Sequence, residues 1–114
     1  ILETEEIKQN IEAALQTTIN SNWHEFDSVC CGSFGRIETL LVGAEKLGRQ
    51  ELKNVAEKRA AWAISRAAKN GGFRFGNLPI NAFSPSFFQG SAGVGYQLLR
   101  LAHPEVLPSV LLWL

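Results

Sequence analysis

A short glycine-containing motif occurs twice in the chain, each time directly before an apolar helical pattern. The segments GSFGRIETLL, from Gly32, and GSAGVGYQLL, from Gly90, share Gly, Ser, Gly, Leu and Leu at the same offsets. One further helix with its loops separates the copies, so the repeating unit is a pair of helices. Such units bury their apolar faces by stacking on neighbours. The repeat therefore predicts an all-α architecture in which every second helix begins at a Gly-Ser-x-Gly turn.

Apolar periodicity predicts four helices along the chain. In the first, Ile7, Ile11, Leu15 and Ile19 recur at every fourth position, and acidic residues occupy the first turn, where they favour the helix dipole. Glycines or an Asn-Gly-Gly sequence mark the ends of the second and third helices. The predicted ranges are about 4–19, 37–47, 50–69 and 93–102, with a long loop that contains aromatic residues and prolines over 71–92.

The two cysteines of the chain are adjacent, at Cys30 and Cys31, directly before the first glycine turn. A disulfide between neighbours needs a strained eight-membered ring, so a structural bridge is not expected. Zinc holds thiolates at about 2.3 Å in a tetrahedron, which sets neighbouring sulfurs about 3.8 Å apart, close to the spacing of consecutive Cα atoms. The pair can share one ion if the backbone turns both side chains to one side, and a positive φ at Gly32 is the expected means. Simple packing of buried thiols is the alternative.

The charge and composition of the chain argue against nucleic acid and membranes as binding partners. The chain has 11 basic and 11 acidic residues, which are interspersed, so no basic face is available for nucleic acid or an anionic membrane. No apolar run reaches the roughly 20 residues of a membrane span, and no targeting segment is visible, which favours the cytoplasm. Because the chain contains no Met and opens with Ile1, we expect it to be a piece of a longer protein.

The combination of motifs resembles one known family. CCGSFGRIETLL together with SFFQGSAGVGYQLLRLAHPEVLPSVLLWL is similar to the C-terminal end of the lanthionine synthetase C-like cyclases, in particular the cyclase domain of the class II bifunctional lanthipeptide synthetases. The resemblance covers about 27–114, and the first helix fits as an outer helix. It implies a sector of an α/α toroid, in which inner and outer helices alternate and Gly-rich turns lie at the inner helix ends. Residues 1–114 are then one C-terminal fragment of that domain with no internal boundary.

The same resemblance implies an activity. Family members close (methyl)lanthionine thioether rings by adding cysteine thiols of a ribosomally made precursor peptide to dehydroalanine or dehydrobutyrine, with zinc as cofactor. Cys30 and Cys31 are then two of three protein ligands to Zn²⁺, and many relatives have His in place of Cys31. The third cysteine ligand, the catalytic His and the dehydratase domain are expected upstream of Ile1. We therefore expect the fragment alone to be inactive, to bind zinc poorly, and to self-associate through helix faces that neighbours would cover.

Other residues have more ordinary interpretations beside a functional one. Arg36 is a candidate to face the cavity and guide the precursor or polarise a carbonyl, although an arginine in a first helical turn is more often solvated. His24 and His103 are expected at the surface or at helix caps, because neither has a ligand spacing from the cysteines. Aromatic residues of the long loop either line a peptide groove or, more commonly, pack over helix ends: Phe73, Phe75, Phe83, Phe87 and Phe88. Trp62 and Trp113 are expected to anchor the core or the tail.

Two other classes of function remain open. A different α/α-toroid enzyme, acting on prenyl groups or sugars, needs an acidic catalytic pair, and Asp27 is the only aspartate of the chain. A non-catalytic LanC-like module that binds thiols or peptides, or a structural zinc domain, would keep the cysteines without the reaction. The residues upstream of Ile1 would separate these alternatives from the synthetase.

Overall fold

A computed structural model describes residues 3–23, 26–80 and 82–112. Over these ranges the chain forms helices and loops and contains no strand, which confirms the all-α prediction. α2 packs along α3, and both α1 and α4 contact α2, so α2 is the central element. The helices are α1 (Glu5–Asn20), α2 (Ser33–Leu47), α3 (Gln50–Asn70) and α4 (Ser91–Ala102).

The helix ends follow capping chemistry. The Thr4 side chain accepts a hydrogen bond from the backbone N–H of Ile7 at 3.3 Å, which satisfies one of the free donors at the start of α1. Gly48 and Gly71 end α2 and α3 in the left-handed region, at φ 63° and 85°. Glycine adopts this region without the penalty of a Cβ atom. The predicted ends of α2 and α3 are therefore confirmed to within a residue.

The core lies between α2 and α3. Large side chains of α2, among them Phe34, Ile37 and Leu40, are fully buried. The facing side of α3 is built mainly from small residues, which let the two helices approach closely and leave the large side chains to fill the space. The buried residues of α3 are Leu52, Ala56, Ala60, Ala63 and Ala67.

The predicted first helix is confirmed as α1, and its apolar residues differ in burial. Leu15 is buried and fits against Gly43 of α2, where a Cβ atom would lie 3.2 Å from a Leu15 methyl carbon. Ile11, by contrast, is 42 % exposed. The apolar stripe of α1 is only partly covered because α1 lies at the edge of the fold and packs mainly on α2.

α4 begins earlier than the sequence pattern predicted, at Ser91 rather than Gly93. The reason is that Gly90 is its N-cap, just as Gly32 is the N-cap of α2. One face of α4, which includes Val94, is buried. Leu99 on the other side is 59 % exposed, so the described residues cover α4 on one side only.

A buried ion pair that the sequence did not indicate ties the end of the chain to α2. Arg100 is 2 % exposed, and its Nε donates to the two carboxylate oxygens of Glu38 at 2.8 and 3.0 Å. A second nitrogen donates to Glu45 at 3.1 Å. The third donates to the carbonyl oxygens of Pro104 and Leu107. Arg100 therefore fixes the segment after α4 against the central helix.

Candidate functional site

The first glycine of each Gly-Ser-x-Gly turn packs so closely on neighbouring backbone that a Cβ atom would not fit. A Cβ atom on Gly32 would lie 2.6 Å from the carbonyl oxygen of Phe26, and one on Gly90 would collide with the carbonyl oxygen of Ser84. The φ angles of the two glycines are −114° and −144°, which any residue can adopt. The predicted positive φ at Gly32 was therefore wrong, and the absence of a Cβ atom is the property that the turn requires.

The second glycine of each turn also has no space for a Cβ atom. A Cβ atom on Gly35 would collide with the carbonyl oxygen of Val29, and one on Gly93 with that of Phe87. Both helices thus begin by lying across the segment that precedes them. The repeat that the sequence indicated is a repeat of three-dimensional structure, and it shapes the loop that carries the cysteines.

Both cysteine side chains point to the same side of this loop. Their Sγ atoms lie 3.2 Å apart, and both thiols are free and exposed. The backbone N–H of Cys30 donates to the carbonyl oxygen of Phe88 at 2.9 Å, which joins the cysteine loop to the second glycine turn. Ser28 Oγ lies 3.6 Å from the sulfur of Cys31. The arrangement satisfies the condition set by the sequence analysis for two adjacent cysteines to share one ion.

The two thiols differ in acidity. A hydrogen bond from Cys30 lowers the pKa of Cys31, and the Ser28 hydroxyl and the positive charge of Arg36 lower it further. The same contact raises the pKa of Cys30, because its proton is held between the two sulfurs, and burial adds to the effect. Since the thiolate is both the nucleophilic and the metal-binding form, Cys31 is the first of the pair to become reactive as pH rises.

Asp27 anchors the cysteine loop, a role that the sequence analysis missed. Its fully buried carboxylate forms an ion pair with Arg66 of α3 and accepts the backbone N–H of Arg74 at 2.8 Å. Its own N–H donates to the Arg74 carbonyl oxygen at 2.8 Å. The Arg66 guanidinium also lies 4.7 Å from the ring centre of the half-buried Trp62. The single aspartate of the chain, three residues before Cys30, was the available signal, because a buried carboxylate is found where it is paired.

Arg36 lies beside the cysteines and is held by the protein. It lines a cleft of about 330 Å³ together with Cys30 and Cys31. Its guanidinium donates to the carbonyl oxygen of Asn22 and lies 5.9 Å from the ring centre of Trp23. Arg36 is half-buried, not fully solvated as is usual for a first-turn arginine. Its place at the cleft is compatible with the predicted role toward a peptide, which stays a prediction.

The aromatic residues of the long loop differ in whether they pack over helix ends or border a cavity. Phe73 packs edge-on against Phe34 with ring centres 5.7 Å apart, and Phe87 packs in the same way on Tyr96 at 5.6 Å. Phe75 packs against the core and also lines a second cavity, of about 460 Å³, whose wall includes Cys31. Packing over helix ends is therefore confirmed for Phe73 and Phe87, whereas Phe75 borders the site. Phe83 and Phe88 are exposed.

His103 has the place that was expected of it. It is the C-cap of α4, and its exposed ring lies 3.7 Å from a Glu105 carboxylate oxygen. His24 and Trp113, for which the sequence analysis also made predictions, lie outside the described residues.

The cysteine pair is not part of a larger cluster of potential metal ligands in the described part of the chain. In the ranges that the structure describes, no group of three or more His, Cys, Asp or Glu side chains is arranged to hold a metal ion. Nor does any helix in that part of the chain have the length and apolar character needed to cross a membrane.

Sequence comparison identifies the family. A family model described as "lanthionine synthetase C-like protein" matches residues 1–112. The chain therefore belongs to the lanthionine synthetase C-like family. No curated protein and no solved structure gives a match. The resemblance that the cysteine and glycine motifs indicated is confirmed at the level of the family, and the class II subgroup stays a prediction.

Proposed function

We propose that this chain is part of a cyclase that forms (methyl)lanthionine rings. The substrate is a precursor peptide in which cysteine thiols add to dehydroalanine or dehydrobutyrine. The observation that carries the proposal is the convergence of the Cys30 and Cys31 sulfurs, 3.2 Å apart, in a chain of this family. We further propose that the four helices are a sector of an α/α toroid at the C-terminal end of a class II synthetase.

The donor atoms fit a zinc ion. Thiolates are preferred zinc ligands, and the sulfur separation of 3.2 Å is near the tetrahedral edge of about 3.8 Å, so small side-chain rotations would place both at one ion. Catalytic zinc sites typically have three protein ligands and one open position. We propose that the third ligand is a cysteine upstream of Ile1. When bound, zinc would deprotonate a substrate thiol at the open position.

In this proposal, the residues of this chain bind the metal and position its ligands, and a residue outside residues 1–114 donates the proton. The reaction forms a bond between the substrate sulfur and the β-carbon of the dehydro residue, and the α-carbon gains a proton, with no net oxidation or reduction. Cys30 and Cys31 would hold the metal, Asp27 fixes the loop that carries them, and Arg36 supplies a positive charge in the cleft. We propose that the proton donor is a histidine upstream of Ile1.

The test uses the full-length protein and its Cys30→Ser, Cys31→Ser double variant. Zinc content is measured by atomic absorption, and ring closure by mass spectrometry after alkylation of free peptide thiols. We expect the double variant to lose both, because serine hydroxyls are poor zinc ligands at neutral pH. A metal-free double variant that closes rings at the wild-type rate would disprove the proposal.

Cys31→His serves as the matched control, since histidine also binds zinc. We expect it to keep the metal and to close rings more slowly, because a neutral imidazole replaces an anionic thiolate and leaves less electron density on the attacking sulfur. A faster variant would contradict this charge argument. A wild-type protein that holds zinc and peptide but closes no ring would be a binding module.

A further inference from the structure

We propose that the cavity beside Cys31 binds the peptide residue next to the reacting cysteine and favours an apolar side chain there. The inference rests on the proposed function, because it takes a peptide thiol to be the group that reaches the sulfur pair. It assigns the loop between α3 and α4, and Leu78 in particular, to substrate selection.

The cavity shares Cys31 with the cleft that contains both cysteines. Its volume is about 460 Å³, and Cys31 belongs to its wall as well as to the wall of the cleft that contains Arg36. A peptide whose thiol approaches the sulfurs from the cleft therefore has its neighbouring residue at this cavity. Phe75 and Leu78 form an apolar wall, and Ser28 and Gln89 place polar groups at the edge.

The chemistry of the wall suits a peptide segment with an apolar side chain. No charged side chain lines the cavity among the residues that the structure describes, so an ionic group would lack a partner there. A glutamine amide both donates and accepts hydrogen bonds, as a peptide backbone requires. Leu78 is 52 % exposed, so a bound side chain would cover apolar surface that now faces water.

Gln89 connects this cavity to the sulfurs. Since Gly90 corresponds to Gly32 in the repeat, Gln89 occupies the position that Cys31 has in the first copy. Its amide interacts with the Cys30 thiol and also lines the cavity. The second copy of the motif therefore carries a residue for recognition where the first copy carries a metal ligand.

The experiment compares Leu78→Ser with Leu99→Ser in the full-length protein. Leu99 is a matched control, because it is 59 % exposed and lies on α4 outside the cavity. The substrates are dehydrated peptides with a single cysteine, flanked on one side and then on the other by Leu or Ser. KM and kcat are measured for ring closure. Binding is measured separately as Kd, by fluorescence anisotropy of labelled peptides in which Ala replaces the dehydro residue, so that no reaction occurs.

We expect the wild-type protein to bind the Leu-flanked peptide more tightly for at least one flank. Leu78→Ser should raise KM and Kd for that peptide by about 5- to 10-fold, as the loss of one to two buried methylene groups would. It should leave kcat, and the Kd of the Ser-flanked peptide, unchanged. Leu99→Ser should leave the ratio of the Kd values for the two peptides unchanged. Leu78→Ala provides a second, smaller change in the same direction.

Equal binding of the two peptides by the wild-type protein would overturn the inference. So would a loss in Leu78→Ser that is the same for both peptides, or no loss at all. In each of these cases ring closure that still depends on the two cysteines leaves the proposed function intact. Failure of the proposed function would appear instead as ring closure without the cysteines, whatever the Leu78 variants do.

Discussion

Asp27 determines where the cysteine pair lies, through contacts that involve no cysteine. Its carboxylate meets Arg66 of one helix and the backbone of the loop beyond that helix. A charge that is removed from such a pair leaves its partner buried and uncompensated, which costs more than the pair itself contributes. The cysteine loop therefore depends for its position on a residue outside the motif by which the family is recognised.

Replacement of Asp27 should destabilise the protein strongly. We expect Asp27→Ala to lower the free energy of unfolding by about 3 to 5 kcal/mol, because Arg66 would remain largely buried without its partner. Urea denaturation followed by circular dichroism measures the change. Glu57→Ala is the control: its ion pair with Lys53, at 3.8 Å, is solvent-exposed, and its loss should cost about 0.5 kcal/mol or less. Equal losses in the two variants would refute the anchoring role.

The difference in acidity between the two cysteines gives a second prediction at this scale. In chelator-treated protein near pH 7.5, iodoacetamide should modify Cys31 before Cys30, because a lower pKa gives a larger thiolate fraction at a given pH. The preference should persist past the usual thiol pKa of about 8.5 and fade only at higher pH, because the raised pKa of Cys30 delays its ionisation. Peptide mapping by mass spectrometry reads out the order. Arg36→Gln should reduce the preference, and modification of Cys30 first would contradict the assignment.

At the scale of elements, α2 and α4 begin with the same backbone arrangement. In both, a glycine at the N-cap and another in the first turn let the helix lie across the backbone that precedes it. Side chains have no room there, so these positions tolerate no enlargement, whereas Gly95, further along α4, has nothing within 4 Å of its Cβ position.

Two glycines of α4 should respond oppositely to alanine. Gly93→Ala should destabilise the protein by about 1 to 3 kcal/mol, because its Cβ atom would meet the Phe87 carbonyl group. Gly95→Ala is the matched control in the same helix: nothing lies within 4 Å of its Cβ position, and alanine should stabilise by about 0.5 to 1 kcal/mol. Thermal melting distinguishes them. A Gly93→Ala variant as stable as the wild type would show that the turn can relax.

The sequence predicted the positions of the helices along the chain better than the contacts between different helices. Helix ends at Gly48 and Gly71 could be read directly, because positive φ is a local property of the residue. The pairing of Glu38 with Arg100 could not, since the two residues lie in different helices and periodicity does not say which faces meet. Zinc geometry required both cysteine side chains to lie on one side of the loop, and the structure has them there. The sequence did not predict how the loop achieves this. The close backbone contact at Gly32 depends on the path of the chain at Phe26, which no sequence motif indicates.

The whole molecule exposes more surface than a self-contained domain of its size. Its accessible area is 7016 Å², against about 6,200 Å² for a typical folded monomer of 12.6 kDa. It measures 47 × 29 × 21 Å, which is a slab more than a sphere. Large apolar side chains contribute to the excess, among them Phe83, Leu99 and Val106, which are 85, 59 and 71 % exposed.

This surface predicts that the 114-residue chain associates with itself when it is produced alone. Exposed apolar area of this kind is favourably removed from water by contact with another copy. Sedimentation velocity should show species larger than a monomer whose share increases with protein concentration. A double variant, Leu99→Ser and Val106→Ser, should shift the distribution toward monomer. A chain that stays monomeric at millimolar concentration would contradict the prediction.

The hydrogen bond between Cys30 and Phe88 has a consequence for anyone who wishes to graft this dithiol onto another scaffold. One helix pair with its own motif would lack the acceptor that holds the first cysteine, because that acceptor belongs to the second pair. The smallest portable unit thus runs from Phe26, whose carbonyl oxygen accepts the N–H of Ser33, to the end of α4 at Ala102, and shorter transplants should present the sulfurs without their mutual orientation.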